Sequence, residues 1–269
     1  MAVSAPKKMV TASSSGPVKQ KEIPGTGAVP VSQVKGLYLT AYNFISAILW
    51  TTVLGRTAIV AGLRGPAFVP IVVDDFLRCT QTIALLEVVH SVLGMGAPAT
   101  MMPISMTIAD SLAGIVRAPL FTTAMQVASR LLLVWAIVYP FPAETTSSPF
   151  YTSMVLAWSL TEVIRYSYFA LSLARGPERP PPSWFTALRY STFLVLYPVG
   201  ISSEVRLVYL AATTPSAAAT LHPLYPAALY AVLAVYVPGS YILYTHMLAQ
   251  RRKVLRRLKA EAAVGKKVQ

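Results

Sequence analysis

The chain has 269 residues, of which 55% are hydrophobic and only 12% charged, and its mean hydropathy is +0.56. A soluble domain carries about 25% charged residues, so this composition excludes an ordinary soluble fold. The net charge of +13 does not point to nucleic acid: thirteen of the 23 Lys/Arg lie toward the two ends (Lys7, Lys8, Lys19, Lys21 and Lys35; eight from Arg251 to Lys267), and no nucleic-acid reading module accompanies them.

Residues 1–34 are rich in Ser, Pro, Lys, Val and Gly and contain no apolar block, which predicts a disordered arm rather than a signal peptide. Six apolar segments follow: Leu37–Gly55, Phe76–Gly96, Pro119–Tyr139, Phe150–Leu173, Leu188–Ala212 and Leu224–Leu248. Each is near the ~20 residues that cross a hydrocarbon core, and helices satisfy their own backbone groups there. The expected fold is therefore all-α, an integral membrane bundle of six transmembrane helices over residues 35–250, followed by a basic tail at 251–269. Met95–Gly114 is broken by Pro98, Pro103 and Asp110 and reads as a re-entrant or interfacial stretch. Six spans place both termini on one side. The tails and the loops after spans two and four hold most of the Lys/Arg, so that side is cytosolic; Arg56, Arg64 and Arg78, beside Asp74 and Asp75, are a mild exception. Lys266 and Lys267, at the fourth and third positions from the end, look like a dilysine retrieval signal of the endoplasmic reticulum, or equally a generic basic tail.

The single cysteine, Cys79, permits neither an intramolecular disulfide nor a cysteine metal cluster, and His90, His222 and His246 have no ligand spacing. The chemistry must come from polar residues inside the spans. A charge at a helix centre costs ~2.5–3.5 kcal/mol, so each one is a functional candidate. Glu87 and His90 share a face of span two; Gln126 and Arg130 share a face of span three; Glu162 and Arg165 lie on span four. Glu162–Arg165 within one helix and Glu87–Arg130 between two are as readily structural ion pairs. Arg189 and Arg206 lie near the ends of span five and can reach the headgroups. Tyr197 and Glu204 are seven apart on one face of span five, roughly 10.5 Å on a straight helix. Pro198 and Gly200 stand between them, which predicts a kink that lines a site. A phenol and a carboxylate facing one cavity can act as proton donor and acceptor; a packed tyrosine and a structural glutamate is the bland reading.

Leu196-Tyr197-Pro198-Val199-Gly200 followed by Ser203-Glu204 resembles the signature of the very-long-chain 3-hydroxyacyl-CoA dehydratases. Further blocks in the same order are Leu37-Tyr38-Leu39 with Tyr42-Asn43, Leu86-Glu87-Val88-Val89-His90, Gly114-Ile115-Val116-Arg117, Gln126-Val127 with Ser129-Arg130, Thr161-Glu162-Val163-Ile164-Arg165-Tyr166 and Arg189-Tyr190. The resemblance spans Leu37–Arg257 and implies six spans, residence in the endoplasmic reticulum and loss of water from a long-chain (3R)-3-hydroxyacyl-CoA in fatty-acid elongation. It places the family's catalytic pair on Tyr197 and Glu204, with Arg189 and Gly200 in support. It implies no metal or redox cofactor, and as partners the acyl-CoA, the bilayer and other elongation enzymes. About twenty residues near Ser91–Asp110 depart from the family pattern. Cys79, in Arg78-Cys79-Thr80-Gln81-Thr82-Ile83-Ala84, lacks the glycine cradle and following arginine of a tyrosine phosphatase. A transporter is the alternative suggested by the intramembrane charges, but no two-half repeat supports it; a non-catalytic scaffold has no need of the Tyr197/Glu204 pair.

Overall fold

The computed structural model describes residues 33–93, 118–176, 178–215 and 222–268. The N-terminal arm up to residue 32, the inserted stretch with the Gly114–Arg117 block, and most of the loop after the fifth segment lie outside the described residues. Among the described residues the regular structure is entirely helical.

Helix α1 (Gln33–Arg64) is 32 residues long, about 48 Å. It stops at Gly65, whose φ of 92° suits glycine, and Pro66 opens a short 3-10 turn that reverses the chain. Helix α2 (Val69–Ile83) follows at once and buries Val69, Val73, Leu77 and Thr80, a single stripe, against the core. The segment expected as span two therefore begins earlier than its apolar run. It is interrupted at Ala84, where the chain tightens into i→i+3 bonds, and resumes as α3 (Leu85–Val92). The expected loop 56–75 is almost wholly helical: on α2 Asp75 faces outward, while Asp74 turns inward to Tyr151 instead of marking a turn.

Helix α4 (Ala118–Leu131) passes into a π-helical stretch, Leu132–Val138, with Tyr139 N–H bonded to the Val134 carbonyl at 3.2 Å. The wider turn buries Leu133, Val134, Ile137 and Val138 while turning Trp135 outward to bond Thr82 Oγ1 at 3.0 Å. After one helical turn, α5 (Pro142–Thr145), Ser148 caps α6 (Pro149–Arg175), accepting from the Phe150 amide; Pro149 starts the helix and Gly176 (φ 72°) closes it. Helices α7 (Ser183–Arg189), α8 (Phe193–Thr213) and α9 (Tyr225–Val268) complete the chain. Span five is discontinuous at Tyr190–Thr192, not at the proline: α8 runs unbroken through Pro198. Span six does not end at Leu248. Its 44-residue helix continues through the basic run, because Arg, Lys, Leu, Ala and Glu are all strong helix formers.

Helix α6 is the central element, packed on α1 on one side and α8 on the other, with α9 against α8. The core joins Trp50 and Val53 of α1, Tyr151, Met154, Val155 and Trp158 of α6, and Leu207, Val208 and Ala211 of α8. Among the described residues three helical stretches are long and apolar enough to cross a membrane: Val34–Arg64, Ser183–Thr213 and Tyr225–Ala263. Their outer faces carry bare apolar side chains such as Phe44, Ile48, Val195, Val237 and Ile242. This is the surface of a membrane protein, where lipid takes the place of water. With 27 residues α6 is long enough to cross but is more polar, since its neighbours are protein side chains rather than lipid.

That polarity is organised into one ionic chain. Glu162 of α6, fully enclosed, accepts from Arg130 of α4 and from Arg165 Nε at 2.6 Å. Arg165 then makes a bidentate pair with Glu87 of α3 at 2.8 and 2.9 Å, and Tyr166 also donates to Glu87. The Glu162–Arg165 pair holds as read from sequence, but Glu87 and Arg130 do not meet. Each takes a partner on α6, because alternating the charges as Glu87–Arg165–Glu162–Arg130 gives both cations an anion. His90 turns from Glu87 toward α1, bonding Tyr38 Oη at 2.8 Å. On α2, Asp74 accepts from Tyr151 Oη at 2.9 Å and pairs with Arg78.

Glu162→Gln removes the anion shared by two guanidinium groups and should destabilise the detergent-solubilised protein by ~3–5 kcal/mol in a denaturation series. Gly65→Ala should cost about 1–3 kcal/mol from backbone strain alone, since nothing lies within 4 Å of its Cβ position. Gly62→Ala, equally uncrowded but inside α1, should cost nothing in the same measurement.

Candidate active site

Four helices surround a cavity of about 420 Å³, within the usual range for small-molecule sites. Tyr197, Gly200 and Glu204 enter it from one face of α8, and Tyr236, Gly239, Ser240, Leu243 and Met247 from a stripe of α9. Ala157, Trp158 and Thr161 of α6 form a third wall, and Gln126, Ser129 and Arg130 of α4 a fourth. The lining is mostly apolar, so its few polar groups stand in sparse water.

Glu204 is held on both oxygens. Oε1 accepts the Trp158 indole N–H at 2.7 Å, and Oε2 accepts the Tyr236 hydroxyl at 2.9 Å. No cation forms an ion pair with it among the described residues. The nearest link to the ionic chain runs through Trp158, whose ring lies under the Arg130 guanidinium at 5.1 Å. Ser153 Oγ of α6 and Ser203 Oγ of α8 meet at 2.7 Å, tying the two helices together beside the carboxylate.

Tyr197 is oriented differently. Its ring stacks on Tyr244 of α9, with centroids 5.7 Å apart and planes at 25°. Its hydroxyl donates to the Ser240 carbonyl at 3.3 Å, a long bond. Tyr197 and Glu204 thus share a cavity with no hydrogen bond between them, each anchored by α9. Gly200, one turn before Glu204, is buried between α8 and α6. A Cβ there would lie 3.8 Å from Ala157 Cβ and 3.9 Å from Glu204 Oε1, ordinary contact, so close helix approach does not demand the glycine; its bareness leaves room at the cavity wall.

Of the residues singled out by sequence, Tyr197, Glu204, Gly200, Arg130 and Gln126 therefore line one cavity. Glu162 and Arg165 do not; they stand behind Trp158 in the ionic chain. Arg189 does not line it either. Its guanidinium lies over Phe169 at 4.4 Å, Tyr168 at 4.9 Å and Tyr190 at 5.7 Å, an aromatic cage at the end of α7. Trp158 and Tyr236, the two groups that touch Glu204, were missed. Both had a signal. Trp158 lies one turn before Glu162 on the same face, and Tyr236-Val237-Pro238-Gly239 repeats the Tyr, Pro and Gly content of Tyr197-Pro198-Val199-Gly200 on the facing helix.

Residues 103–257 match the family described as protein tyrosine phosphatase-like protein, PTPLA. The chain is 41% identical to the probable very-long-chain (3R)-3-hydroxyacyl-CoA dehydratase of Schizosaccharomyces pombe, over 83% of this chain and 95% of that protein. It is 39% identical to the dehydratase PASTICCINO 2 of Arabidopsis thaliana, over 86% and 98%. It is 31% identical to dehydratase 2 of Homo sapiens, over 81% and 80%. No solved structure matches the chain significantly. With similarity over nearly the whole helical part of the molecule, the chain belongs to the PTPLA family, whose curated relatives are very-long-chain (3R)-3-hydroxyacyl-CoA dehydratases.

Proposed function

We propose that this protein is a lyase that removes water from a very-long-chain (3R)-3-hydroxyacyl-CoA to give the trans-2-enoyl-CoA, the dehydration step of fatty-acid elongation. The observation that carries the reading is one apolar cavity that brings together a carboxylate and a phenol, in a chain closely similar to proteins named for that reaction. The reaction needs a base for a weakly acidic proton beside the thioester and an acid for a poor leaving group, and it needs little else.

Glu204 is the base in this reading. The Trp158 indole N–H can only donate, so Oε1 must accept, and the Tyr236 hydroxyl serves Oε2 in the same way. Both oxygens are thus oriented by neutral donors, and among the described residues no cation pairs with the carboxylate. Glu204 takes the C2 proton, the electrons left behind form the C2–C3 double bond, and the C3–O bond breaks. Tyr197 gives its proton to the departing oxygen, which leaves as water. Its long bond to the Ser240 carbonyl is readily exchanged for a substrate hydroxyl. The proton on Glu204 returns to Tyr197 through the released water. Gly200 leaves space for the reacting carbons, while Arg130 and Gln126 line the approach from α4. Glu162, itself held by Arg165, fixes Arg130, which in turn steadies Trp158. Phosphatase chemistry finds no support at Cys79, which is exposed on α2, and the arginine beside it is engaged with Asp74.

The same proposal places residues 35–250 in the endoplasmic reticulum membrane as six crossings with both ends cytosolic. The arm at 1–34 and the basic end at 251–269 would stand on that side, where other elongation enzymes could be met. The distribution of Lys/Arg and the apolar outer faces support this arrangement. The acyl chain can lie among the apolar side chains between the helices.

In assays of purified protein on a long-chain 3-hydroxyacyl-CoA, Tyr197→Phe and Glu204→Gln should each lower kcat by about 10²–10⁴-fold. Full activity in both would overturn the assignment. Tyr236→Phe and Trp158→Phe, which remove one donor each from Glu204, should lower kcat about tenfold with little change in KM.

A further inference from the structure

Arg251 is a half-buried cation on α9. Among the described residues no carboxylate forms an ion pair with it. Its Nε donates instead to Ser191 Oγ at 3.2 Å, in the break between α7 and α8, and among the described residues the four terminal N–H groups of the fork have no acceptor. A partly desolvated guanidinium left in this state is costly unless it meets an anion or water.

Its position says which anion. Leu243 and Met247 are the last cavity-lining residues on α9, and Arg251 is the next step of the same i, i+4 stripe. Phe193, which also lines the cavity, stands two residues beyond Ser191. The Arg251–Ser191 contact therefore lies one helical turn past the end of the cavity, on an uninterrupted helix. Along α9 the rise from Tyr236, at the Glu204 carboxylate, to Arg251 is about 22 Å. A substrate with its thioester near Glu204 must project its carrier arm out of the cavity, and an extended pantetheine arm has a length of this order. At its far end CoA carries a diphosphate and a ribose phosphate. Arg252, the next residue, is exposed on another face of α9, away from the stripe.

We infer that Arg251 and the Ser191 hydroxyl form the binding site for the phosphate groups of the CoA carrier, the planar fork taking two phosphate oxygens and the serine a third. This inference rests on the dehydratase reading above. It makes the α7–α8 break part of the substrate site: an uninterrupted helix would not present Ser191 to α9 in this way. It also gives the helical continuation of α9 past the bilayer a purpose, since the same rigid rod then sets both the Tyr236 contact with Glu204 and the distance to the phosphates.

The test compares two thioesters of one 3-hydroxyacyl chain, the CoA ester and the phosphate-free pantetheine ester, with purified wild-type protein and with Arg251→Gln, Arg251→Lys and Arg252→Gln. Arg251→Gln should raise KM for the CoA ester about tenfold at unchanged kcat, with less than a twofold change on the pantetheine ester. Arg251→Lys should recover part of the loss, and Arg252→Gln should behave as wild type. An equal effect of Arg251→Gln on both esters would overturn the inference, pointing to a structural role or to a lipid phosphate at Arg251. So would no effect on either ester, or an equal effect from Arg252→Gln. Wild-type protein that dehydrates neither ester would instead refute the dehydratase reading itself.

Discussion

Glu162 lies enclosed in the middle of α6 with a guanidinium on either side, and the arrangement of the bundle depends on it. An isolated carboxylate or guanidinium would be strongly destabilising in so apolar a setting. Together with Glu87 and Arg130 they form a chain of alternating charge that is formally neutral, and it stitches α3 and α4 to the central helix. Removing any interior member leaves another uncompensated. That all-or-none character sets the register of three helices more sharply than apolar packing does, because lipid tails and leucine side chains are nearly interchangeable neighbours. The chain also ends on the site: Arg130 covers the Trp158 ring, and Trp158 holds Glu204.

The site itself is a product of two proline-bearing helices facing each other. Pro198 and Pro238 each deprive a helix of one N–H, yet both helices continue, because their neighbours hold them in place. Small residues near the prolines, Gly200 on α8 and Gly239 on α9, leave space between the backbones that the tyrosines and the carboxylate share. Helix α9 does most of the positioning. It supplies the Tyr236 donor to Glu204, the carbonyl that holds the Tyr197 hydroxyl, and the Tyr244 ring against which Tyr197 stacks. The proposed base and the proposed acid are therefore kept apart and separately oriented, an arrangement suited to a substrate that must be touched at two adjacent carbons.

The outer surface obeys different physics. The outward faces of α1, α8 and α9 are lined with bare aliphatic and aromatic side chains, which water would penalise and lipid does not. Helix α6 shows the converse. It is the most enclosed of the long helices and carries serine, threonine, glutamate and arginine, because protein partners are available to satisfy them. Mean hydropathy thus follows contact with lipid more than membership of the bundle, and the helix that organises the protein is less apolar than the three long helices that face lipid.

Much was legible without coordinates, for identifiable reasons. Long apolar blocks marked a helical membrane protein, since a helix that crosses the hydrocarbon core in contact with lipid needs about 20 mostly apolar residues. The spacing of Tyr197, Gly200 and Glu204 put them on one face, since helical period is a local property. The likeness at Tyr197-Pro198-Val199-Gly200 and Ser203-Glu204 named the family, to which the chain belongs over most of its length. What required the tertiary structure was every relation between helices. Sequence could list Glu87, Arg130, Glu162 and Arg165 but not pair them, because pairing depends on which helices are neighbours. It marked Pro198 as the weak point of span five, whereas the chain breaks at Tyr190–Thr192. It set Arg189 beside the site, whereas that side chain turns into an aromatic cage. Trp158 and Tyr236 lie 46 and 32 residues from Glu204 along the chain, and only the packing of α6 and α9 on α8 made them its hydrogen-bond partners.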